Sequence, residues 1–206
     1  MDYITIYEPS EDSFIEKKSK FIGYIAPVQT NEEAIAFIEK IKAMHRKATH
    51  NVYAYVLRKD NTSRYSDDGE PQGTAGVPVL DVINKEGLTD VCIVVTRYFG
   101  GIMLGGGGLV RAYSHSASIA IKSARKMDMK DCYKLDIFCD YSLYGKITYI
   151  LPEYTHKMIS TDFSDDVKIS LYIIENQCED LKKKLIDISN ANIKIEQSDK
   201  TNADFN

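Results

Sequence analysis

Three short segments hold the residue types that could do chemistry. The first, Ser66-Asp67-Asp68-Gly69-Glu70-Pro71, puts three carboxylates within four positions. Asp67, Asp68 and Glu70 could bind a divalent cation such as Mg²⁺ or act as a base beside a phosphate. They equally suit a tight turn, because Asp-Gly favours a positive φ and Asp side chains cap nearby N–H groups. Gly73, Thr74, Ala75 and Gly76 then open a helix, where free N–H groups could hold an anion or be satisfied by Asp67 or Asp68.

The second segment is Thr96-Arg97-Tyr98-Phe99. Arg97 ends an apolar run, so its head group must reach water or a partner. Oxyanion binding and a salt bridge to Asp67, Asp68 or Glu70 both answer that need. Tyr98 and Phe99 suit base stacking or core packing.

The third is a glycine tract, Gly105–Gly108, ahead of Leu109-Val110-Arg111. Gly106 and Gly107 allow close approach to a phosphate or to another helix. Arg111 is expected in the first helical turn, where a cation opposes the macrodipole, which favours a bound anion or an Asp partner. No G-K-[ST] follows, which argues against an ATPase on this loop. Arg64, Arg97, Arg111, Gly73, Thr74, Gly106 and Gly107 therefore form the candidate anion- or nucleic-acid-binding set, and no cofactor is expected.

The elements around these segments follow from pattern. Residues 21–28 alternate as a strand, and 30–48 carry a helix with Thr30 and Glu33 as a capping box. A strand over 50–58 leads into an 18-residue Asp-, Gly- and Ser-rich stretch, 59–76, expected to be a long loop. A helix over 77–87, a doubly buried strand over 90–99, a glycine loop over 100–108 and a helix over 109–127 complete the first domain, 1–127. Strand, glycine loop and helix in that order favour phosphate binding. Beyond it, residues 128–200 read as β-α-β-β-α-β, the split ferredoxin-like pattern, with 201–206 as a frayed tail.

Composition sets the class. The 206 residues carry 26 Lys plus Arg, 30 Asp plus Glu and a net charge of -4, which argues against a whole-surface nucleic-acid binder. All six arginines and 11 of the 12 glycines precede residue 126, and the acidic excess follows it. The four cysteines form no C-x-x-C pair, and Cys92 lies in an apolar run. They read as buried thiols of a reducing cytosol. The four histidines show no zinc spacing. His50, ahead of a strand, reads first as a hydrogen-bonded structural histidine and is the one to test as a base. Lys17, Lys18 and Lys20, with Arg46, Lys47, Arg58 and Lys59, read first as a solvated face. The start of the chain lacks a signal-peptide pattern, and no run is long enough to span a bilayer. A cytoplasmic protein is expected.

Residues 17–28, 66–80 and 94–113 together resemble the IMPACT family, whose bacterial branch is called YigZ-type. Where this chain has Gly106 the family pattern has Thr, and where it has Thr49 the pattern often has Arg. The resemblance implies an α+β protein. Its first domain would be like the second domain of a small-subunit ribosomal protein, and its second like the ferredoxin-like fifth domain of elongation factor G. It also implies a non-enzymatic RNA- or ribosome-associated role in translation, with protein partners as a further option. The rival is an enzyme on a small phosphorylated or carboxylated molecule, using Asp67, Asp68 and Glu70 as metal ligands or base and Arg97 as electrostatic stabiliser.

Overall fold

The computed structural model describes residues 2–206, which divide into two compact units: Tyr3–Met127, and Asp128–Asn206 with Asp2. The architecture is mixed α+β, built on antiparallel sheets.

In the first unit, β1 (Tyr3–Ile6) is followed by β2 (Ser10–Glu16), β3 (Ser19–Pro27), α1 (Asn31–Met44), β4 (His50–Leu57) and β5 (Thr62–Ser66). Then come α2 (Gly76–Lys85), β6 (Val91–Tyr98) and α3 (Gly106–Ser123). Five strands form one sheet in the order β2-β3-β6-β4-β5. β6 is central, which explains its unbroken apolar run. Val91, Ile93 and Val95 face the core under α2 and α3, while Cys92 and Val94 face the core under α1. Burial pushes the Cys92 thiol up, so it stays protonated. Helix α1 starts on the Thr30 cap, whose hydroxyl accepts the Glu33 N–H, while Glu33 reaches back to the Gln29 N–H. Gly23 lets β3 and α3 approach closely, since a Cβ there would lie 2.5 Å from the Ser116 carbonyl oxygen.

The expected loop over 59–76 is interrupted. Thr62–Ser66 pairs with Tyr53–Leu57, and only the residues after it form the connection to α2. The expected helix over 109–127 is displaced towards the N-terminus: it begins at Gly106 and has ended by Ser123. Strands β1 and β2 were not foreseen. β2 is an edge strand of mostly exposed residues, held to β3 by its ladder more than by an apolar face.

The second unit contains β7 (Lys126–Cys139) from Asp128 onward, then α4 (Tyr141–Ile150), β8 (His156–Phe163), β9 (Val167–Ile174), α5 (Glu175–Ser189), β10 (Lys194–Gln197) and β11 (Thr201–Asp204). The strand order β10-β7-β9-β8 carries the split β-α-β-β-α-β arrangement. Its core joins Leu135, Ile137, Ile169 and Leu171 of the sheet to Ile147 of α4 and Leu181 of α5. Pro152 falls in a short 3-10 turn that ends α4. The closing residues are not frayed. β11 pairs antiparallel with Met129–Cys132, and Ala203 is buried. A polar strand held by main-chain bonds leaves no periodic apolar signal to read.

Candidate functional site

The site is built where β6 ends. Arg97 continues the inward-facing series Val91, Ile93 and Val95, so alternation drives its side chain into the core rather than to water. Only 6% of that side chain is exposed. Its Nη1 donates to Glu70 Oε1 at 2.5 Å, and the Tyr113 hydroxyl donates to the same oxygen at 2.7 Å. Burial, followed by the negative Glu70, pushes the Tyr113 phenol upward, so it remains a donor. Phe21 and Phe99 lie on the guanidinium, with centroids 5.4 and 5.5 Å from its carbon. Of the alternatives for Arg97, the structure contains the salt bridge, and to Glu70.

His50 pairs across the ladder with Arg97. Its Nδ1 lies 2.8 Å from the Asp68 carbonyl oxygen. A carbonyl only accepts, so Nδ1 carries a proton and donates it there. That Nε2 is 3.8 Å from Glu70 Oε1.

The three carboxylates point to different tasks. Asp67 accepts from Gly73 N (2.9 Å), Ala75 N (3.1 Å) and Gly76 N (2.7 Å), so it satisfies the start of α2. Asp68 accepts from Asn51 N at 2.6 Å and has Lys42 3.8 Å away. Glu70 serves Arg97 and Tyr113. Among the described residues no three His, Cys, Asp or Glu side chains gather as a metal site. A joint Asp67–Asp68–Glu70 metal site is therefore not what this loop builds; the turn and the ion pair are.

The anion set is likewise split. The Gly73 N–H is taken by Asp67, and the Thr74 hydroxyl donates to Pro71 O at 2.7 Å. Arg64 lies exposed on β5, opposite Tyr55, whereas Arg97 lies opposite His50 on the same β4. Those positions are five strand steps apart, about 17 Å at the usual rise, so Arg64 does not join Arg97. Arg111 sits in the second turn of α3, exposed, and lines a shallow cleft with Phe14, Lys17 and His115. Gly106 does meet Arg97: both line a cleft of about 380 Å³ with His50, Glu70, Phe99 and Met103.

A second polar cluster escaped sequence reasoning. His45 lies between two phenols, Nε2 2.7 Å from Tyr24 Oη and Nδ1 2.8 Å from Tyr98 Oη. Burial lowers His45 below its ordinary 6.5 and, with nearby Glu11, pushes Tyr24 up to about 12. Since the folded pKa is depressed, the unfolded chain binds the proton more readily. Stability should be unaffected well above pH 6.5 and fall as pH drops from 6.5 through the folded value. His45→Gln should flatten that part of the urea-midpoint profile against pH; an unchanged profile would show that His45 does not drive it.

The Impact N-terminal domain family matches residues 17–121, and a domain of unknown function, DUF1949, matches residues 137–192. The chain is 38% identical to the IMPACT family member YvyE of Bacillus subtilis over 200 residues, which covers 97% of this chain and 92% of that one. It is 32% identical to YigZ of Escherichia coli, covering 87% and 89%. A crystal structure titled a hypothetical protein superposes with a TM-score of 0.61 at 30% identity, covering 94% and 96%. With one domain family spanning half of the chain and relatives aligned along most of it, the chain belongs to the IMPACT family.

Proposed function

We propose that this protein binds RNA through the end of its first unit where β6 leaves the sheet, and so acts on translation without catalysing a reaction. The observation that carries this is a group of exposed cations around an exposed aromatic ring. Lys17 and Lys18 form the two-residue tip of the β2–β3 hairpin, Lys20 pairs opposite Tyr98, and Arg46 and Lys47 lie in the α1–β4 connection. With Arg111 these are six basic residues, none in an ion pair with a described carboxylate. Phe99, 48% exposed, stands at the same end. Cations that track a backbone beside a stacking ring are the parts of a single-strand binding surface.

The hairpin tip adds a reason. Lys17 and Lys18 both adopt left-handed backbone, with φ of 44° and 65°. That turn prefers Asn-Gly, and a non-glycine residue there is strained by roughly 1 kcal/mol. Gly100 packs on this tip, where a Cβ would fall 2.0 Å from the Lys18 carbonyl carbon, and its N–H donates to Ser19 Oγ. The glycine loop thereby holds the two lysines beside Phe99. The implied likeness of the two domains to a ribosomal protein and a translation factor supports the same reading by analogy only.

The test is anisotropy of labelled single-stranded RNA across a salt series. Six phosphate contacts give a log–log slope near −4, so affinity should fall roughly 300-fold between 50 and 200 mM salt. Lys17→Asn/Lys18→Gly should lower affinity and flatten the slope by about 1.4, while raising stability because the turn is relieved. Absent or salt-insensitive binding would overturn the proposal.

A further inference from the structure

The cleft beside Arg97 shares Phe99 with the cationic face but none of its six cations, and we infer that it is a binding site for a small molecule with an oxyanion head on an apolar body. Two independent observations converge there. Helix α3, 18 residues long, begins at its edge with no side-chain cap and no acidic residue in its first turn. Gly105 supplies the carbonyl that starts the helix, and the N–H groups of Gly106, Gly107 and Gly108 precede the first intrahelical donor, Leu109. Such N–H groups with the helix dipole attract an anion. The second observation is Arg97. Its side chain is 94% buried and lines the same cleft, yet its Nε has no hydrogen-bond partner among the described residues. Buried donors are normally satisfied, and an orphaned one calls for an acceptor that is not part of the chain.

The remaining walls define the body of the ligand. Phe99, Met103, Leu104 and Leu109 form an apolar lining, and Met103 is 86% exposed at its rim. A ring or short aliphatic body fits about 380 Å³ with its head towards Gly106 and Arg97. His50, held by its Nδ1 bond to the Asp68 carbonyl, lines the same cleft and offers Nε2 to a polar group next to the head. Gly106 has open space where a Cβ would go, so the chain leaves room above these N–H groups. Carboxylate and phosphate share this chemistry.

Phenyl phosphate, benzoate and neutral phenol separate the alternatives, read by thermal shift and by the Met103 methyl signal in NMR. Phenyl phosphate or benzoate should raise the melting temperature and move the Met103 methyl, and phenol should do neither. Gly106→Pro removes one N–H at the first helical position, where proline is tolerated, and should weaken binding at least tenfold. Met103→Glu, at an exposed position, should repel the same ligands without affecting folding. Equal response to phenol, no response to either oxyanion, or wild-type affinity in Gly106→Pro would overturn the assignment. Neither Lys17 nor Lys18 lines this cleft, so Lys17→Asn/Lys18→Gly should lower RNA binding and leave small-anion binding unchanged, which distinguishes failure of one proposal from failure of the other.

Discussion

Glu70→Ala and Arg97→Ala should each destabilise the protein by about 3–5 kcal/mol, the usual penalty for leaving one charge of a buried pair unpartnered. Both side chains are almost fully enclosed, at 4% and 6% exposure, so the charge left behind is poorly solvated. Glu70→Ala also strips the acceptor from Tyr113, whose buried hydroxyl bonds to no other acceptor among the described residues. Replacing both members together with apolar residues of similar volume should recover much of the loss, because the desolvation of the two charges disappears with them. Urea denaturation of the four proteins checks this as a double-mutant cycle. Single losses below 1 kcal/mol, the range of exposed pairs, would mean that the pair is solvated. Arg97→Ala is consequently a poor probe of ligand binding, since its effect on folding would dominate; Gly106→Pro and the two hairpin lysines are cleaner.

Asp67→Ala should destabilise the start of α2 by roughly 3 kcal/mol. One carboxylate here takes three N–H groups, and bonds to a charged acceptor are among the stronger ones. Two of the donors belong to Ala75 and Gly76, both buried, so removal strands them away from water. Among the described residues no other side chain caps this helix. Asp67→Asn keeps an oxygen for Ala75 and Gly76 but loses the bond from Gly73, so about half of the effect should remain. Hydrogen exchange at Ala75 and Gly76 should accelerate along the series wild type, Asn, Ala. Unchanged exchange in the alanine variant would mean that other acceptors take over.

How far the sequence could be read depended on whether side chains or backbone held each element. β6 was legible because both its faces are buried, and α1 because Thr30 and Glu33 mark its start. β5 and β11 were not, since their residues are mostly polar and their stability lies in main-chain pairing. The first turn of α3 was hidden by its glycines. They disfavour helix interiors but sit here where no intrahelical N–H bond is yet made, which moved Arg111 one turn deeper than expected. For the site, Arg97 was marked by its charge at the end of an apolar strand, and a carboxylate partner in the Asp67–Glu70 loop was among the alternatives. Tyr113 and His45 were not marked, because a phenol on a helix and a histidine after one look alike whether they are core or surface. Arg64 shows the limit of pooling residue types. It is an arginine of the same domain, but five strand positions put it out of reach.

The pairing of β10 and β11 has a consequence for the edge of β7. β7 is 14 residues long, and along one edge it is covered first by Lys194–Gln197 and then by Thr201–Asp204. Two short polar strands thus close an edge whose open N–H and C=O groups would otherwise template pairing with another molecule. Removing the pairing strand Thr201–Asp204 should leave Met129–Cys132 as an open edge that another strand could join.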